Sequence, residues 1–560
     1  MSKKYTFDYI VIGAGTAGGV IAKELSDDKR TSVLVLEPGT NMVEELSNPS
    51  GAVAGILATD NRHSFNIMTN AEPNIGNQQL RVSSGRAIGG SSEHNAMYAV
   101  RGSSEIYDEW ARLVGHQWSY DHVSSLFIKN ETYTGRTQEP EERGRKGPIF
   151  VRQQTIPMDG LTVTLARATS DVLRIPIVED YNTGIRDCTF YKSQFLNEEV
   201  NGQLFRSSTA TGYLNKNIVT QGNEFNPYEV GVGRRKLIIL AKTTVNKILF
   251  KEAGRYQVAV GVKFVRNGKS KIAYAKKGII LCAGNFSSVI LQRSGIGSFD
   301  DLARAGIETL IDNPNVGHNF QSHFTVGLGV EVETNRILEL MSADPSNPFP
   351  LGAFKGEGRQ GGRRLQLYGS ATPSFVPTSE VLENHWGFDR AKQSNIMSIG
   401  IFDLNPSSRG TITAAHSDPE AYPTIDLNPL GDPDDMDFMV EQYMETYRIM
   451  KRARELDPEG IYKVVYPPEN VFKIKNKEEQ RKQLEGYVRA SYRNLAHFGG
   501  QCRMARSMRN GVTDGFLNVF GTRNLKVADL SISPILPDGN TSMPSQMIGL
   551  NAVQFIRDEK

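Results

Sequence analysis

The chain has 560 residues, too many for a single small hydrophobic core, so two domains are expected. Its content of 39% hydrophobic and 22% charged residues is ordinary for a soluble globular protein, and a formal net charge of +2 excludes a strong general attraction to nucleic acid or to a membrane. No apolar run reaches the roughly 18 residues of a membrane helix. No signal peptide precedes the first predicted strand, so we expect a cytoplasmic protein, with a secreted protein that has lost its leader as the alternative.

The first predicted elements are a strand, a glycine turn, a helix and a second strand. Tyr9–Ile12 is an apolar, β-branched run of the length of a buried strand. The helical pattern that follows the glycines carries Ala17, Val20 and Ile21 on one face. Ser32–Leu36 is the second apolar run, and an acid comes directly after it.

The glycines of this turn fit the requirements of a dinucleotide-binding loop. Gly13 permits a tight turn, Gly15 lets the backbone approach a pyrophosphate, and Gly18 allows close packing of helix and strand. The helix N-terminus directs free N–H groups toward the phosphates, and Glu37 is placed to accept hydrogen bonds from ribose hydroxyls. The alternative is a glycine-rich turn that binds nothing.

A second glycine-rich loop follows at Ser84–Met97. Glycines and small hydroxyl residues surround Arg86 and His94, so backbone N–H groups can come close to an anion or a flat ring. Met97–Gly102 is predicted to return to a regular element, and Tyr107–Leu113 has helical spacing.

The central part of the chain contains a second group of strands. Val245–Phe250 and Val258–Val265 alternate in polarity, and Asn267-Gly268 is typical of a turn between strands. Lys277–Gly284 repeats the design of a strand followed by glycine, which predicts a parallel strand beside the first one. The hairpin strands are expected to cover one side of that sheet.

The sequence pattern changes after about residue 325, and the C-terminal residues return to the pattern of the first part of the chain. Thr325–Arg489 predicts an antiparallel sheet with helices on one side, including a helix at Met436–Ala453. Asn524–Asp529 is a short strand ending in an acid, and Met547–Ile556 predicts a closing helix. A chain that leaves the first domain and comes back would bring both ends to one cleft.

Cysteine and histidine patterns do not predict a metal site. The three cysteines are far apart and form no Cys-x-x-Cys, and Cys282 is expected to be an inert core residue. His318, His323, His385 and His416 show no metal-ligand spacing and are expected to be structural.

Taken together, the motifs resemble those of the glucose–methanol–choline (GMC) oxidoreductases, flavoproteins that oxidise alcohols. The resemblance extends over almost the whole chain and departs from the family pattern at Ser288-Val289, where a proline usually intervenes, and at Leu530, where alanine is usual. The segments that carry it are Gly13–Gly18 with Glu37, Gly85–Ser92, Gly284–Gly297, Asn313–His323, His497–Met504 and Val527–Thr541.

This resemblance implies the fold and the domain division. The expected class is α/β (α+β, two-domain), with a Rossmann-like FAD-binding domain and a discontinuous substrate domain built on an antiparallel sheet with helices. The FAD-binding domain is predicted to comprise residues 1–155, 200–324 and 491–560, and the substrate domain residues 156–199 and 325–490.

The resemblance also implies the catalytic residues and a covalent cofactor bond. His497 matches the catalytic histidine, which accepts the hydroxyl proton, and Asn540 matches the second position, where an amide can hold the alcohol oxygen. His94 matches the histidine that is bonded to the flavin methyl carbon in choline oxidase-like members, the alternative being a hydrogen bond without a covalent one.

The remaining expected FAD contacts come from the same motifs. Asn95 is expected to contact the flavin by its amide, Arg86 a phosphate, Val245 the adenine through its backbone, and Asp529 the ribityl or pyrophosphate side. The full predicted set is Gly13, Gly15, Thr16, Ala17, Gly18, Glu37, Arg86, Gly89, Gly90, Ser91, His94, Asn95, Ala96, Met97, Val245, Ala283, Gly284, Asp529, Asn540 and Thr541, with no metal ligand.

The implied reaction is the oxidation of a small-molecule alcohol to an aldehyde or ketone, with hydride transfer to flavin N5 and reoxidation by O2 with release of H2O2. A dehydrogenase that uses another acceptor is one alternative. A hydroxynitrile lyase-type enzyme that keeps FAD without redox use is another, and an NAD-dependent enzyme that uses only the first motif is a third.

Overall fold

The computed structural model describes residues 5–42, 59–155, 160–222, 228–343, 351–356, 362–377 and 395–559; His385 lies outside these ranges. The α-helices within them are α1 Thr16–Ser26, α2 Ser104–Val114, α3 Tyr120–Asn130, α4 Leu161–Leu173, α5 Thr209–Gly212, α6 Ser287–Arg293, α7 Phe299–Arg304, α8 Thr334–Ala343, α9 Pro433–Leu456, α10 Lys477–Ser491 and α11 Ser542–Asp558.

The same ranges contain 29 strands. They are β1 Tyr5–Ile12, β2 Val33–Leu36, β3 Ser64–Met68, β4 Arg81–Gly85, β5 Glu131–Thr134, β6 Ile149–Gln153, β7 Ile177–Val178, β8 Cys188–Phe190, β9 Gln194–Phe195, β10 Asn197–Val200, β11 Gln203–Arg206, β12 Tyr228–Val230, β13 Leu237–Leu240, β14 Thr243–Ala253, β15 Tyr256–Arg266, β16 Lys269–Leu281, β17 Ile296–Gly297, β18 Ile311–Asp312, β19 His318–Phe320, β20 Phe324–Glu331, β21 Gly352–Gly356, β22 Arg363–Ser370, β23 Ile396–Asp403, β24 Gly410–Thr413, β25 Thr424–Asp426, β26 Lys463–Tyr466, β27 Arg493–Asn494, β28 Thr522–Arg523 and β29 Leu525–Val527.

One sheet carries the nucleotide-type motif. Its order is β12-β13-β2-β1-β16-β15-β14, and β13, β2, β1 and β16 run parallel to one another. The predicted return of a parallel strand beside β1 is therefore confirmed. The residues of β2 are all buried, as expected of a parallel strand that is covered on both faces.

The long hairpin strands do not cover this sheet as predicted but extend it. The first part of β16 pairs with β15, whereas its second part pairs with β1 and with the C-terminal strand β29. A strand of 13 residues is long enough to take different partners along its length, so the hairpin continues the sheet past the point where the parallel strands end.

A second, mainly antiparallel sheet is formed largely by strands of the Thr325–Arg489 region. Its order is β26-β20-β23-β22-β21-β8-β7, and β7 and β8 come from the earlier part of the chain. Helix α9 contacts this sheet through β23, β20 and β26, and it also packs against α4 and α10. The expected class of a mixed, two-domain fold is confirmed; the domain boundaries stay a prediction.

Three local predictions differ from the structure. Met97–Gly102 forms no regular element, because only Tyr98 makes a bridge, to Phe195. The stretch Pro140–Phe150, which reads as a surface excursion, places Arg143 in the interior, where Glu131 and Asp180 neutralise its charge. The predicted helix at Met547–Ile556 begins earlier and spans all of α11.

Helices α1 and α11 close the core of the first sheet. A side-chain carbon at Gly549 of α11 would come within 2.9 Å of the carbonyl oxygen of Ala17 in α1, so glycine allows the two helices to approach closely. The C-terminal part of the chain is thereby fixed against the element that begins the nucleotide motif.

Candidate active site

Two glycine loops from separate motifs lie against each other. The N–H of Gly89 donates to the carbonyl of Ala14 at 2.8 Å, and a side-chain carbon at Gly90 would lie 2.7 Å from the Cα of Gly15. Gly89 and Gly90 have positive φ angles of 96° and 57°, which disfavour any other residue. The two loops therefore meet through backbone atoms alone at these glycines.

The turn between β1 and α1 has the geometry that its glycines predict. Gly13 has a φ of 98°, and any side chain there would collide with the carbonyl of Cys282 at the end of β16. Gly18 packs so closely on the carbonyl of Gly13 that a side chain has no room. The free N–H groups at the start of α1 open into the same cavity as this turn.

Glu37 is buried at the end of β2 and holds the turn in place. Its two carboxylate oxygens accept hydrogen bonds from the N–H groups of Ala14, at 2.9 Å, and Gly39, at 2.8 Å. Burial raises the pKa of Glu37 to about 7 despite these bonds and the charge of Arg86. Each oxygen keeps a lone pair that a hydroxyl donor in the cavity can use.

Asp529, which follows strand β29, is hydrogen-bonded to the start of the segment Gly284–Gly297. Its carboxylate accepts hydrogen bonds from the Gly284 N–H at 2.8 Å, the Ser287 hydroxyl at 2.6 Å and the Ser531 N–H at 2.9 Å. Burial raises its pKa. The acid therefore orders the loop that enters α6, where Ala283 and Gly284 also line the cavity.

The loop that carries His94 is fixed from behind by a buried cation. The guanidinium of Arg206 donates to the side-chain oxygen of Asn95 at 2.7 Å and to the carbonyl of Ser92 at 3.2 Å. The Asn95 oxygen also accepts from the Met97 N–H at 3.0 Å, so its amide nitrogen is the group left for the cavity. Asn95 thus has the group for the predicted flavin contact.

His94 itself is buried and electrically neutral at physiological pH. Desolvation and then the charge of Arg206 lower its pKa to about 4. Its Nε2 lies 3.1 Å from the hydroxyl of Ser64 on β3, and the residue lines the cavity together with Ser91. A neutral imidazole has a free electron pair, the state that bond formation to carbon requires.

His497 and Asn540 lie next to each other, although 42 residues separate them in the chain. The amide nitrogen of Asn540 is 3.4 Å from Nε2 of His497, and its oxygen accepts from Nε2 of Gln366 at 3.3 Å. With its oxygen occupied by Gln366, Asn540 presents N–H groups to the histidine and to the cavity. Desolvation lowers the pKa of His497 to about 4, so its imidazole is neutral near pH 7.

The expectation that His323 is merely structural misses its contact with His497. Nδ1 of His323 lies 3.0 Å from Nδ1 of His497, and the two rings meet edge to face. His323 is fully buried, and burial together with the neighbouring His497 lowers its pKa well below 6.5. The motif Asn313–His323 carried the family resemblance, but only the fold reveals that its last residue contacts His497.

The other two histidines within the described ranges that were expected to be structural make only local contacts. His318 lies 3.1 Å from a carboxylate oxygen of Asp301, and His416 accepts from the N–H of Asp418. Among the described residues, no three His, Cys, Asp or Glu side chains come together as a metal site. The three cysteines are buried and unpaired by disulfides.

One cavity of about 530 Å³ is lined by residues of all these segments. All but two of the predicted site residues line it. The exceptions are Gly18, which packs α1 on β1, and Gly89, which lies behind Gly90. We call the backbone segments Gly13–Ala17, Gly85–Met97 and Ala283–Gly284 the cofactor cradle.

Sequence reasoning missed a group of ring-bearing residues at one end of the cavity. Tyr98 follows the cradle, Tyr368 and Phe402 lie on neighbouring strands of the second sheet, and Phe375 follows β22. We call these four residues the aromatic wall. Their rings contact one another, with centroids 4.5 Å apart for Tyr98–Tyr368 and 5.6 Å apart for Phe375–Phe402. Single aromatic residues in separate segments gave no signal for this grouping.

The cavity fits FAD by its own features. The glycines of the cradle leave open the volume that side chains would fill, and helix α1 points N–H groups into it, which suits a pyrophosphate. Glu37 offers carboxylate acceptors to the cavity, and His94, Asn95, His497 and Asn540 line the same cavity.

Comparison with known proteins gives the same assignment along the whole chain. The N-terminal and C-terminal sequence models of GMC oxidoreductases match residues 7–325 and 406–549. An oxygen-dependent choline dehydrogenase of Chromohalobacter salexigens is 28% identical, over 100% of this chain and 96% of its own. Among solved structures, a variant of Aspergillus oryzae RIB40 formate oxidase studied for FAD modification superposes with a TM-score of 0.80 at 21% identity, covering 99% of this chain and 98% of its own. Pyridoxine 4-oxidase from Mesorbium loti superposes with a TM-score of 0.77 at 22% identity, covering 99% of both chains.

Proposed function

The chain belongs to the GMC oxidoreductase family of FAD-dependent enzymes, and on this basis we propose that it oxidises a small-molecule alcohol to an aldehyde or ketone, with O2 as the electron acceptor. FAD supplies the hydride acceptor when it is bound, and the protein supplies position and proton transfer. The observation that supports the proposal most strongly is the contact between His497 and Asn540 in the cavity that the cofactor cradle also lines.

His497 is proposed as the base, acting through Nε2. Because Asn540 directs an N–H group at Nε2, that nitrogen carries the lone pair in the neutral ring. The ring proton is then on Nδ1, which donates to Nδ1 of His323. This tautomer leaves Nε2 ready to accept the proton of an alcohol hydroxyl.

Asn540 is proposed to hold the alcohol oxygen. Its amide nitrogen has two N–H groups and lies 3.4 Å from Nε2 of His497, so one hydroxyl placed beside both nitrogens can hydrogen-bond to each of them. Gln366 keeps the amide in the orientation that presents these donors, because it donates to the amide oxygen. A hydrogen bond to the oxygen stabilises the negative charge that develops as the proton leaves.

His323 is proposed as a positioning residue for the base. Its Nδ1 accepts a hydrogen bond from the Nδ1–H of His497. This bond fixes the orientation of the His497 ring and favours the imidazolium that forms during turnover. Its own Nε2 is buried and has no hydrogen-bond partner among the described residues. The acceptor role at Nδ1 is therefore the polar interaction that the structure gives this side chain.

We further propose that His94 forms a covalent bond to the flavin. The support is its burial, its neutral imidazole, and the clamping of its loop by Arg206. Denaturation with acid tests the bond directly: the precipitated protein is expected to stay yellow, whereas His94→Ala is expected to release all colour into the supernatant. A colourless wild-type pellet would show that no bond forms.

An anaerobic experiment separates the proposed reaction from its alternatives. Mixing the holoenzyme with an alcohol is expected to bleach the visible absorbance of the oxidised flavin and to yield an equal amount of aldehyde. A lyase on the same fold leaves the flavin oxidised. Reoxidation of the bleached enzyme then decides between acceptors, because an oxidase recovers its colour and releases peroxide when air is admitted, whereas a dehydrogenase needs an added acceptor.

A further inference from the structure

The aromatic wall lies at the reactive end of the cavity, next to the proposed base. Tyr98 follows His94 by four residues along the loop that lines the cavity. Leu495, two residues before His497, packs against the same aromatic cluster. The wall is thus adjacent to both the proposed flavin attachment and the proposed proton acceptor.

Strand register connects the wall to Asn540. Gln366, which donates to Asn540, pairs directly with Phe402 across β22 and β23. Tyr368 lies two residues further along β22 and therefore on the same face of the sheet. This face of the second sheet points its rings at the cavity end where Asn540 and His497 meet.

Two glycines on that face keep room for flat rings. Gly400 pairs with Tyr368, and Gly327 pairs with Gly400 on the next strand. A side-chain carbon at Gly400 would collide with the ring of Phe402 and would lie 3.0 Å from Cδ1 of Phe375. At Gly327 it would collide with the backbone of Phe375. Phe402 and Phe375 therefore pack directly against the backbone of these two glycines.

The wall carries no carboxylate, and the acids that line the cavity within the described residues lie elsewhere. Glu37 is bonded to Ala14 at the nucleotide end, and Asp529 is bonded to Gly284. Glu420 interacts electrostatically with Arg293. Burial raises the pKa of the Tyr98 and Tyr368 phenols, so both remain uncharged. Within the part of the chain that the structure describes, a cationic substrate would therefore meet ring faces at the wall but no residue of the wall with the opposite charge.

We propose that the substrate is a neutral primary alcohol carried on an aromatic ring, with the ring packed on the aromatic wall and the hydroxyl between His497 and Asn540. This assignment rests on the proposed function and adds the substrate class. The reaction converts Ar–CH2OH to Ar–CHO: two electrons and one hydrogen leave as hydride to the bound FAD, and the hydroxyl proton goes to His497. Edge-to-face ring contacts, the arrangement already present in the wall, supply the selectivity.

The test measures binding rather than rate, because benzylic C–H bonds are intrinsically easier to oxidise. The holoenzyme is mixed anaerobically with 4-methoxybenzyl alcohol, cyclohexylmethanol or choline, and Kd is taken from the concentration dependence of flavin bleaching. The aromatic alcohol is expected to bind roughly two- to tenfold more tightly than its saturated counterpart of similar size. Tighter binding of cyclohexylmethanol or choline would overturn the substrate class while leaving the proposed function in place, whereas no bleaching by any alcohol would overturn both.

Variants locate the selectivity. Phe402→Leu is expected to remove the preference for the aromatic alcohol, and Phe472→Leu is the matched control, because Phe472 stacks on Tyr447 in the core outside the cavity. Gly400→Ala, whose added carbon would collide with Phe402 and crowd Phe375, is expected to weaken binding of the aromatic alcohol more than that of ethanol. An unchanged preference in both Phe402→Leu and Gly400→Ala would contradict the assignment of the wall.

Discussion

The cofactor cradle is made mainly of backbone, whereas the aromatic wall is made of side chains. In the cradle, Gly13, Gly15 and Gly90 exclude side chains so that main-chain groups can approach the cofactor. In the wall, residues such as Tyr368 and Phe402 come from different strands and meet only because of their register. In our proposal the cradle holds the cofactor, whereas the wall selects the substrate.

The largest expected effect tests the cradle. Gly90→Ala is expected to abolish FAD retention, because the added carbon would lie 2.7 Å from the Cα of Gly15 at a φ of 57°. Gly306→Ala is the matched control: it has a similarly positive φ of 66° but no atom within 4 Å of the added carbon. Flavin absorbance per mole of protein after gel filtration is the measurement. Full flavin content in Gly90→Ala would show that the loops need not touch.

The next effect tests the reactive end of the cavity. His497→Ala is expected to slow anaerobic flavin reduction by about 10²–10⁴-fold, the range for loss of a general base, with flavin content unchanged. His318→Ala serves as the control because that histidine pairs with Asp301 outside the cavity. If both variants reduced their flavin at the wild-type rate, the proton would have another acceptor.

A smaller effect tests Glu37, the buried acid that is hydrogen-bonded to the first loop of the cradle. In a His94→Ala background, where FAD can exchange, Glu37→Gln is expected to weaken FAD binding about tenfold or more at pH 8, because an amide cannot replace the carboxylate on two N–H groups. Burial raises the pKa of Glu37 to about 7, so the carboxylate is lost as the pH falls through 7 and the difference from wild type should shrink there. Titration of apoprotein with FAD at both pH values measures it, with the exposed Glu308→Gln as control. A difference that grew toward low pH would contradict this role.

The smallest effect concerns the residue behind the base. His323→Leu is expected to slow flavin reduction about two- to tenfold, the value of one neutral hydrogen bond. The acid limb of the pH profile should also move to lower pH, since the imidazolium of His497 loses an acceptor. The exposed His416→Leu is expected to change neither quantity. If the variant were slower but its acid limb stayed at the wild-type pH, His323 would contribute only packing and not a hydrogen bond to the imidazolium of His497.

The cradle could be predicted from sequence because its physics is local. Positive φ angles and close backbone contact demand glycine at fixed spacing, so Gly13, Gly89 and Gly90 appear as motifs before any fold is known. The return of one parallel strand beside β1 was predicted from the repeat of the strand-then-glycine pattern at Lys277–Gly284. Where strand length mattered, as in the hairpin that extends the sheet, the sequence pattern did not specify which partner each half of β16 would take.

The wall and the second histidine could not be predicted because their contacts are tertiary. His323 and His497 are separated by 173 residues of intervening chain, and an ordinary buried histidine has the same local pattern as one that holds a base. Phe402 and Gln366 share a face only through the pairing of β22 with β23. Such positions carry no spacing rule, which explains why the substrate end had no motif.

The central claim is that distant segments of the chain meet at one flavin, with the base beside its reactive face. A crystal structure of the holoenzyme with a non-oxidised substrate analogue tests this directly. The account predicts the analogue's oxygen within hydrogen-bond distance of both His497 and Asn540, with its reacting carbon against the flavin ring. A flavin ring bound elsewhere, or an analogue whose oxygen contacts neither side chain, would contradict it.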